Sequence, residues 1–374
     1  MTVAVEDLQG RMVDCDTHLY VAPYQFPAAF GEDFAPRFRA IHERTFGKRD
    51  VVEYARPLDE ASVWRLKHWD TPAGYDVDER MATLNMMGVD RQLLFADGIV
   101  SSALSSHLHG AWTAVQRYND FGLDWSRPSK GRLRPASVLP LHDVEAATAE
   151  ARRLIAAGAY GFSVYCGAAP GGFSPADMVW DPLWSMLEEA DTPLLLHSGS
   201  ESGFLDKRWS RGTPIDAGPA MGAEGGPFTL AMSHLGPQVF VSTMIIGGVL
   251  ERHPRLRLGI LEFLASWIGP LAELLDQSVD YYPGLLTSTA PLKPSEYINR
   301  QVRATPFYWE PLHRYIERYG LEDVYVFSTD FPHSEGGLDP VGVMHESMSK
   351  VGDTAVEKFF VHNGRWLMPD LDRP

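Results

Sequence analysis

Eight short apolar runs, each followed by a stretch with helical amphipathicity, limit this chain to very few architectures. The runs are residues 11–18 (RMVDCDTH), 91–95 (RQLLF), 133–141 (LRPASVLPL), 161–165 (GFSVY), 193–197 (PLLLH), 256–262 (LRLGILE), 301–305 (QVRAT) and 324–330 (VYVFSTD). Short apolar runs alternating with helix-length segments are the pattern of an α/β fold with parallel strands. Residues 78–87 open with acids and stop at Gly88, and residues 144–157 lie between a candidate cap, Asp143, and a stop, Gly158. Residues 182–190, 268–278 and 310–319 supply later helices. Eight strand–helix pairs predict a single (β/α)8 TIM barrel, which needs about 250 residues. The chain has 374. The surplus falls in two insertions, about residues 22–75, rich in Pro, aromatics and charge, and 198–226, rich in Gly and Ser. Both follow strands, so both are expected at the C-terminal face, where barrel enzymes keep their chemistry.

Charge narrows the partners. Asp plus Glu number 49 and Lys plus Arg 33, a net charge of −16, with no run of five basic residues. Such a chain repels phosphate backbones and anionic bilayers, so a small molecule is the expected partner, not nucleic acid or a membrane surface. The longest apolar stretch, residues 239–250, is short for a bilayer span. Two cysteines, Cys15 and Cys166, make no disulfide scaffold, and MTVAVEDLQG lacks a signal-peptide core, so a cytoplasmic location is expected. The aromatic-rich insertions favour a homo-oligomer. No phosphate-binding loop, dinucleotide fingerprint or nucleophile elbow is present, so no organic cofactor is expected.

Strand ends carry the chemistry. In Asp14-Cys15-Asp16-Thr17-His18, alternation puts Asp14, Asp16 and His18 on one face and Cys15 and Thr17 on the other. An Asp and a His two apart can grip one metal ion, although a hydrogen-bonded Asp–His pair gives the same pattern. His197 ends the fifth run after four apolar residues, and Asp330 ends the eighth, followed by Phe331, Pro332 and His333. Each alone is more often structural. Together they bring ligand-type residues to three strand ends that a closed barrel gathers. His253, just before the sixth strand, belongs to the opposite, stability-bearing face. His333 suits either a turn or a substrate contact, and His42 and His68 lie in the first insertion, a candidate lid.

This combination of D-x-H, strand-five His and T-D-F-P-H resembles the amidohydrolase superfamily. Within it the chain is similar to the branch that includes the aminocarboxymuconate-semialdehyde and resorcylate decarboxylases. MGVDRQLLF, YNDF, RLRPASVLPL, WDPLWSMLEEADTPLLLH, ERHPRLRLGILE and VFSTDFPH extend the likeness over nearly the whole chain. The resemblance implies one divalent metal, zinc first, with manganese or iron as alternatives. Asp16, His18, His197 and Asp330 would be its ligands, with Asp330 also moving a proton. It implies a metal-dependent hydrolase or decarboxylase acting on a small carboxylated molecule. One departure stands out: Glu262 occupies the place where the branch often has a strand-six His followed by glycines. Alternation with Leu258 and Ile260 points Glu262 into the mouth as a second catalytic group, unless it pairs with Arg303. Two other readings use the same fold. Glu262, His333, Glu335 and His42 or His68 could build a dinuclear iron or manganese oxygenase site. The chain could also be a metal-bearing structural subunit in a hetero-oligomer with an active homologous barrel.

Overall fold

The computed structural model describes residues 3–46, 55–97, 112–139, 141–214, 226–285 and 290–371. Among these residues seven parallel strands follow chain order: β1 (Met12–Leu19), β2 (Val89–Ala96), β3 (Leu133–Val138), β4 (Gly161–Ser163), β5 (Leu194–His197), β6 (Leu258–Leu261) and β7 (Val302–Ala304). Each hydrogen-bonds to its sequence neighbour, so the sheet curls in one direction as a (β/α)8 barrel requires. The third and fourth strands are shorter than the apolar runs 133–141 and 161–165, since β3 stops at Val138 and β4 at Ser163.

The expected eighth strand forms isolated bridges instead of a ladder, to Ala304 on one side and Thr17 on the other. Its backbone still closes the ring. Val326 N donates to Ala304 O (3.0 Å), Cys15 N to Phe327 O (2.9 Å) and Asp330 N to Asp16 O (2.8 Å). Asp330 has φ +53°, left-handed geometry that ends any extended strand there.

Helices alternate with the strands: α1 (Val77–Met87), α2 (Trp112–Ser126), α3 (Val144–Ala156), α4 (Asp181–Glu189), α5 (Leu235–Ile246), α6 (Ile268–Tyr281), α7 (Leu312–Tyr319) and α8 (Pro340–Ser349). The Asp76 side chain caps α1, accepting from Asp78 N and Glu79 N (both 3.0 Å), and Gly88 ends it in the left-handed region at φ +70°. Asp143 caps α3 through Ala146 N at 2.7 Å.

Strand residues alternate between two cores. Met12, Leu94, Phe162, Leu194, Leu196, Leu258 and Ile260 pack outward with helix residues such as Leu84, Leu154 and Trp184. Val13, Cys15, Leu93, Phe95, Ala136, Leu195, Leu261 and Val326 fill the barrel, with Leu367 and Met368 packed into the same cluster. The first insertion has its own small core, in which Phe30 and Phe38 stack at 3.6 Å. Residues 47–54 of that insertion and 215–225 of the second lie outside the described residues. By length and composition alone, Pro227–Ile246 is apolar enough to cross a membrane. Here its second half buries Phe240, Val241, Met244 and Ile245 in the core.

Candidate metal centre at the barrel mouth

Strand β1 does not follow simple alternation. Its register against β2 shifts between Asp14 and Thr17, which separates Asp14 from Asp16 and His18. Asp14 turns to the strand's outer side. Its Oδ2 accepts from Gln92 Nε2 (2.9 Å) and Thr329 Oγ1 (2.6 Å), and its Oδ1 from Thr329 N (2.9 Å). Burial pushes its carboxyl up to about 7. The fully buried Arg80 continues the network, with Nε donating to Gln92 Oε1 (2.8 Å) and Nη1 to His18 O (3.2 Å) and Ala73 O (3.1 Å). The end of β1 is thereby tied to helix α1 and to the first insertion.

Asp16 and His18 face the mouth, where His197 and Asp330 meet them. His197 Nε2 lies 3.1 Å from Asp16 Oδ1 and 3.1 Å from Glu262 Oε2. Its Nδ1 is 3.0 Å from the Ser198 carbonyl, an acceptor that can hold the ring proton there and free Nε2 to act as a metal ligand. His18 Nε2 is 3.0 Å from Asp330 Oδ1, and His333 Nδ1 is 3.1 Å from that same oxygen. The rings pack as well: His18 stacks on His333 at 3.7 Å and Phe95 on His197 at 4.1 Å. Ligand atoms of Asp16, His18 and His197 lie within 4.8 Å of one another, as do those of His18, Asp330 and His333. All of these residues are buried.

Glu262 reaches the mouth for a reason that alternation does not supply. Leu258 and Ile260 face the outer, helix-packed layer, so alternation alone would send Glu262 outward too. The strand ends at Leu261, and a left-handed backbone at Glu262, φ +61°, swings the side chain back toward His197. Its N–H donates to Thr305 Oγ1 at 2.8 Å. The alternative partner, Arg303, lies 3.9 Å over the Trp366 ring and donates to the Asn299 and Val302 carbonyls. Non-glycine residues held at positive φ are strained, and here two of them, Glu262 and Asp330, sit in one constellation.

The electrostatics push the two strained carboxyls apart. Burial would raise Asp330, but His333 and His18 overcome it and hold the group below the usual carboxylate range. Glu262 is driven well up by burial, with Asp330, Asp16 and Glu335 adding repulsion. Burial also raises Asp16, against the pull of His197. Burial and then the neighbouring His333 push His18 down to about 3. His333 itself is raised, because Asp330 outweighs the effect of burial.

Sequence reasoning missed Lys67 and Glu201. The Lys67 ammonium is buried with no hydrogen-bond partner among the described residues, and its largest charge couplings are to Asp330 and Glu335. The next residue, His68, is pinned over the strand-eight turn: its N donates to Pro332 O (2.7 Å), its Nδ1 lies 3.1 Å from Tyr20 Oη and its Nε2 3.3 Å from Ser334 Oγ. The signal available was the Lys67-His68-Trp69 run in an aromatic insertion. His42 instead packs on Trp69 and Phe26, with ring centroids at 5.5 and 6.0 Å. His253 lies at the other end of the barrel near Asp181 (3.4 Å) and Glu188 (3.7 Å). A cleft of about 420 Å³ lined by Arg91, Arg132, Arg134 and Tyr160 is also at that end.

Fold and mouth together define a barrel with a candidate divalent-metal cluster at the carboxyl ends of its strands. The chain belongs to the amidohydrolase family, whose profile it matches over residues 13–367. Among solved structures it is similar to an amidohydrolase from Mycobacterium avium subsp. paratuberculosis, at 21% identity and TM-score 0.73, covering 96% of this chain and 99% of that one. It is also similar to 5-carboxyvanillate decarboxylase from Novosphingobium aromaticivorans, complexed with manganese and a nitrobenzoic acid (19% identity, TM-score 0.63, 96% of both chains). A third is 2,6-dihydroxybenzoate decarboxylase from Rhizobium (18% identity, TM-score 0.62, 96% and 98% covered).

Proposed function

We propose that this chain is a divalent-metal-dependent hydrolase or decarboxylase acting on a small carboxylated molecule. One observation carries the reading: the ligand atoms of Asp16, His18 and His197 converge within 4.8 Å in a buried mouth, with Asp330 3.0 Å from His18. Imidazole nitrogens and carboxylate oxygens suit zinc, manganese and iron alike. The manganese bound to the carboxyvanillate decarboxylase supports manganese as strongly as zinc. Asp16, His18, His197 and Asp330 would hold the ion. When bound, it supplies Lewis acidity toward a carboxylate or carbonyl oxygen, or ionises a water.

The chain's own groups supply the proton traffic. Asp330, held ionised by His18 and His333, takes a proton at its carboxylate and returns it. Glu262, with its carboxyl raised, keeps a proton and can donate it from Oε2, the oxygen beside His197. Two carboxyls driven in opposite directions in one pocket are a usual signature of an acid–base pair. Phe95 and Tyr20 help to keep bulk water out of the mouth, and both are buried.

The test is metal analysis on protein purified without chelators, followed by a panel of aromatic acids, lactones and amides assayed anaerobically. The expected result is at least one divalent ion per chain, lost in His197→Ala and kept in His253→Ala, with carbon dioxide release or hydrolysis. Metal far below one per chain, or equal retention in both variants, overturns the reading. Turnover that requires oxygen replaces it with an oxygenase.

A further inference from the structure

The end of the barrel away from the mouth carries a concavity of its own. It is the cleft of about 420 Å³, set between the starts of β2 and β3 and the C-terminal ends of α2 and α3. Small-molecule sites run from about 300 to about 1,000 Å³, so the space suits a metabolite rather than a macromolecule. Its charge runs against that of the chain, which is −16 in total. Five cations line it, Arg91, Arg127, Lys130, Arg132 and Arg134. Only two carboxylates do, Asp90 and Asp370.

Those two carboxylates are already taken. Arg91 lies 2.9 Å from Asp90 and 2.5 Å from Asp370, while Arg127 pairs with Asp124 at 2.9 Å. Lys130, Arg132 and Arg134 form no ion pair among the described residues. Arg132 donates to Asp90 O (2.7 Å), Val89 O (2.9 Å) and Asn85 Oδ1 (3.0 Å), all neutral acceptors. Arg134 donates from Nε to Gly131 O (2.9 Å) and from Nη1 to Pro369 O (2.7 Å), with its Cζ 5.0 Å from the Tyr160 ring centroid. These contacts fix where the two guanidiniums sit without cancelling their charge. Arg134 is buried, and its Nη2 has no hydrogen-bond partner among the described residues. Burial, and next the like charge of Arg91, hold its guanidinium below the usual arginine range, at about 10.

Capping of the helix ends would be the plain structural role, since cations are favourable beside the last carbonyls of a helix. None of the hydrogen bonds that Arg132 and Arg134 make among the described residues goes to a carbonyl of α2 or α3.

We infer that this cleft binds a small multivalent anion, a phosphate ester or a polycarboxylate, on Arg132, Arg134 and Lys130. Guanidinium groups offer paired N–H donors that match phosphate and carboxylate oxygens. A concave wall also focuses the field of uncancelled cations on whatever enters it. The site is separate from the mouth and does not depend on how the mouth is read.

Calorimetric titration of metal-loaded protein with pyrophosphate and, separately, with tricarballylate tests the inference. Saturable binding of one anion per chain is expected, and it should persist in His197→Ala, which alters the mouth. The tighter of the two probes identifies phosphate or carboxylate as the head group. The double variant Arg127→Glu with Lys130→Glu changes two exposed positions and gives the lining more acids than bases. It should weaken binding by about tenfold or more, as should Arg134→Met once circular dichroism shows it folded. Lys350→Glu, at an exposed lysine elsewhere, should bind as the wild type does. No saturable binding of either anion in His197→Ala, or full affinity in the double variant, overturns the inference. Equal weakening by Lys350→Glu would trace binding to net charge alone and overturn it too.

Discussion

Glu310→Gln is expected to alter how stability depends on pH. The helix expected over residues 310–319 begins only at Leu312, as α7, and Glu310 lies just before it with only 3% exposure. Its carboxylate joins two active-face loops. It accepts from Ala265 N and Ser266 N (both 3.1 Å), just beyond Glu262, and from Phe307 N (2.8 Å) after β7. Burial pushes the group up from 4.5 to about 7 in spite of these donors. Between those two values the folded state binds more protons than the unfolded state, so stability falls as pH rises and levels off above about 7. Each unit corresponds to about 1.4 kcal/mol, so the wild type loses about 3 kcal/mol from this group between pH 5 and pH 8. Glutamine cannot ionise and loses nothing. Relative to wild type, the variant should therefore gain about 3 kcal/mol over that window, whatever its absolute stability. Urea denaturation of both proteins at matched metal load across the pH range measures the gap. A gap that stays constant to within about 1 kcal/mol would refute the reasoning. It would show that the backbone donors outweigh burial and keep Glu310 ionised throughout.

Two further outcomes follow from single side chains. Lys67→Met removes a buried, unpartnered ammonium, so the melting temperature should hold or rise, while KM for a carboxylated substrate increases at least tenfold. A lower melting temperature with unchanged KM would make Lys67 structural. Arg80→Met strands three buried acceptors, Gln92 Oε1, His18 O and Ala73 O. At roughly 1 kcal/mol or more for each unpaired group, the loss should be about 3 kcal/mol in denaturant melts. A loss below about 1 kcal/mol would mean that water replaces the guanidinium.

The caps at Asp143 and Gly88, the order of the strands and the placing of Asp16, His18, His197 and Asp330 at strand ends were all legible in the residues. Each depends on a local rule, whether alternation, apolar run length or the backbone freedom of glycine, that acts over a few neighbours. Burial patterns along β5 and β6 followed for the same reason. Local rules failed where backbone geometry departs from the strand. The register shift in β1 takes Asp14 out of the site, and positive φ at Glu262 reverses the direction that alternation assigns it. The eighth segment closes the barrel through isolated bridges because Asp330 itself leaves the extended region.

What the sequence determined by itself was which residues reach the strand ends, since that depends only on position along each run. What the tertiary structure decided was which of them meet. The pairing of His197 with Glu262 joins residues 65 positions apart, and the stacking of His18 on His333 joins residues 315 apart. Lys67 becomes a candidate because its ammonium is buried and none of the described residues accepts from it. Desolvation and convergence of charge are properties of the closed barrel as a whole, and no stretch of sequence contains them until the ring is complete.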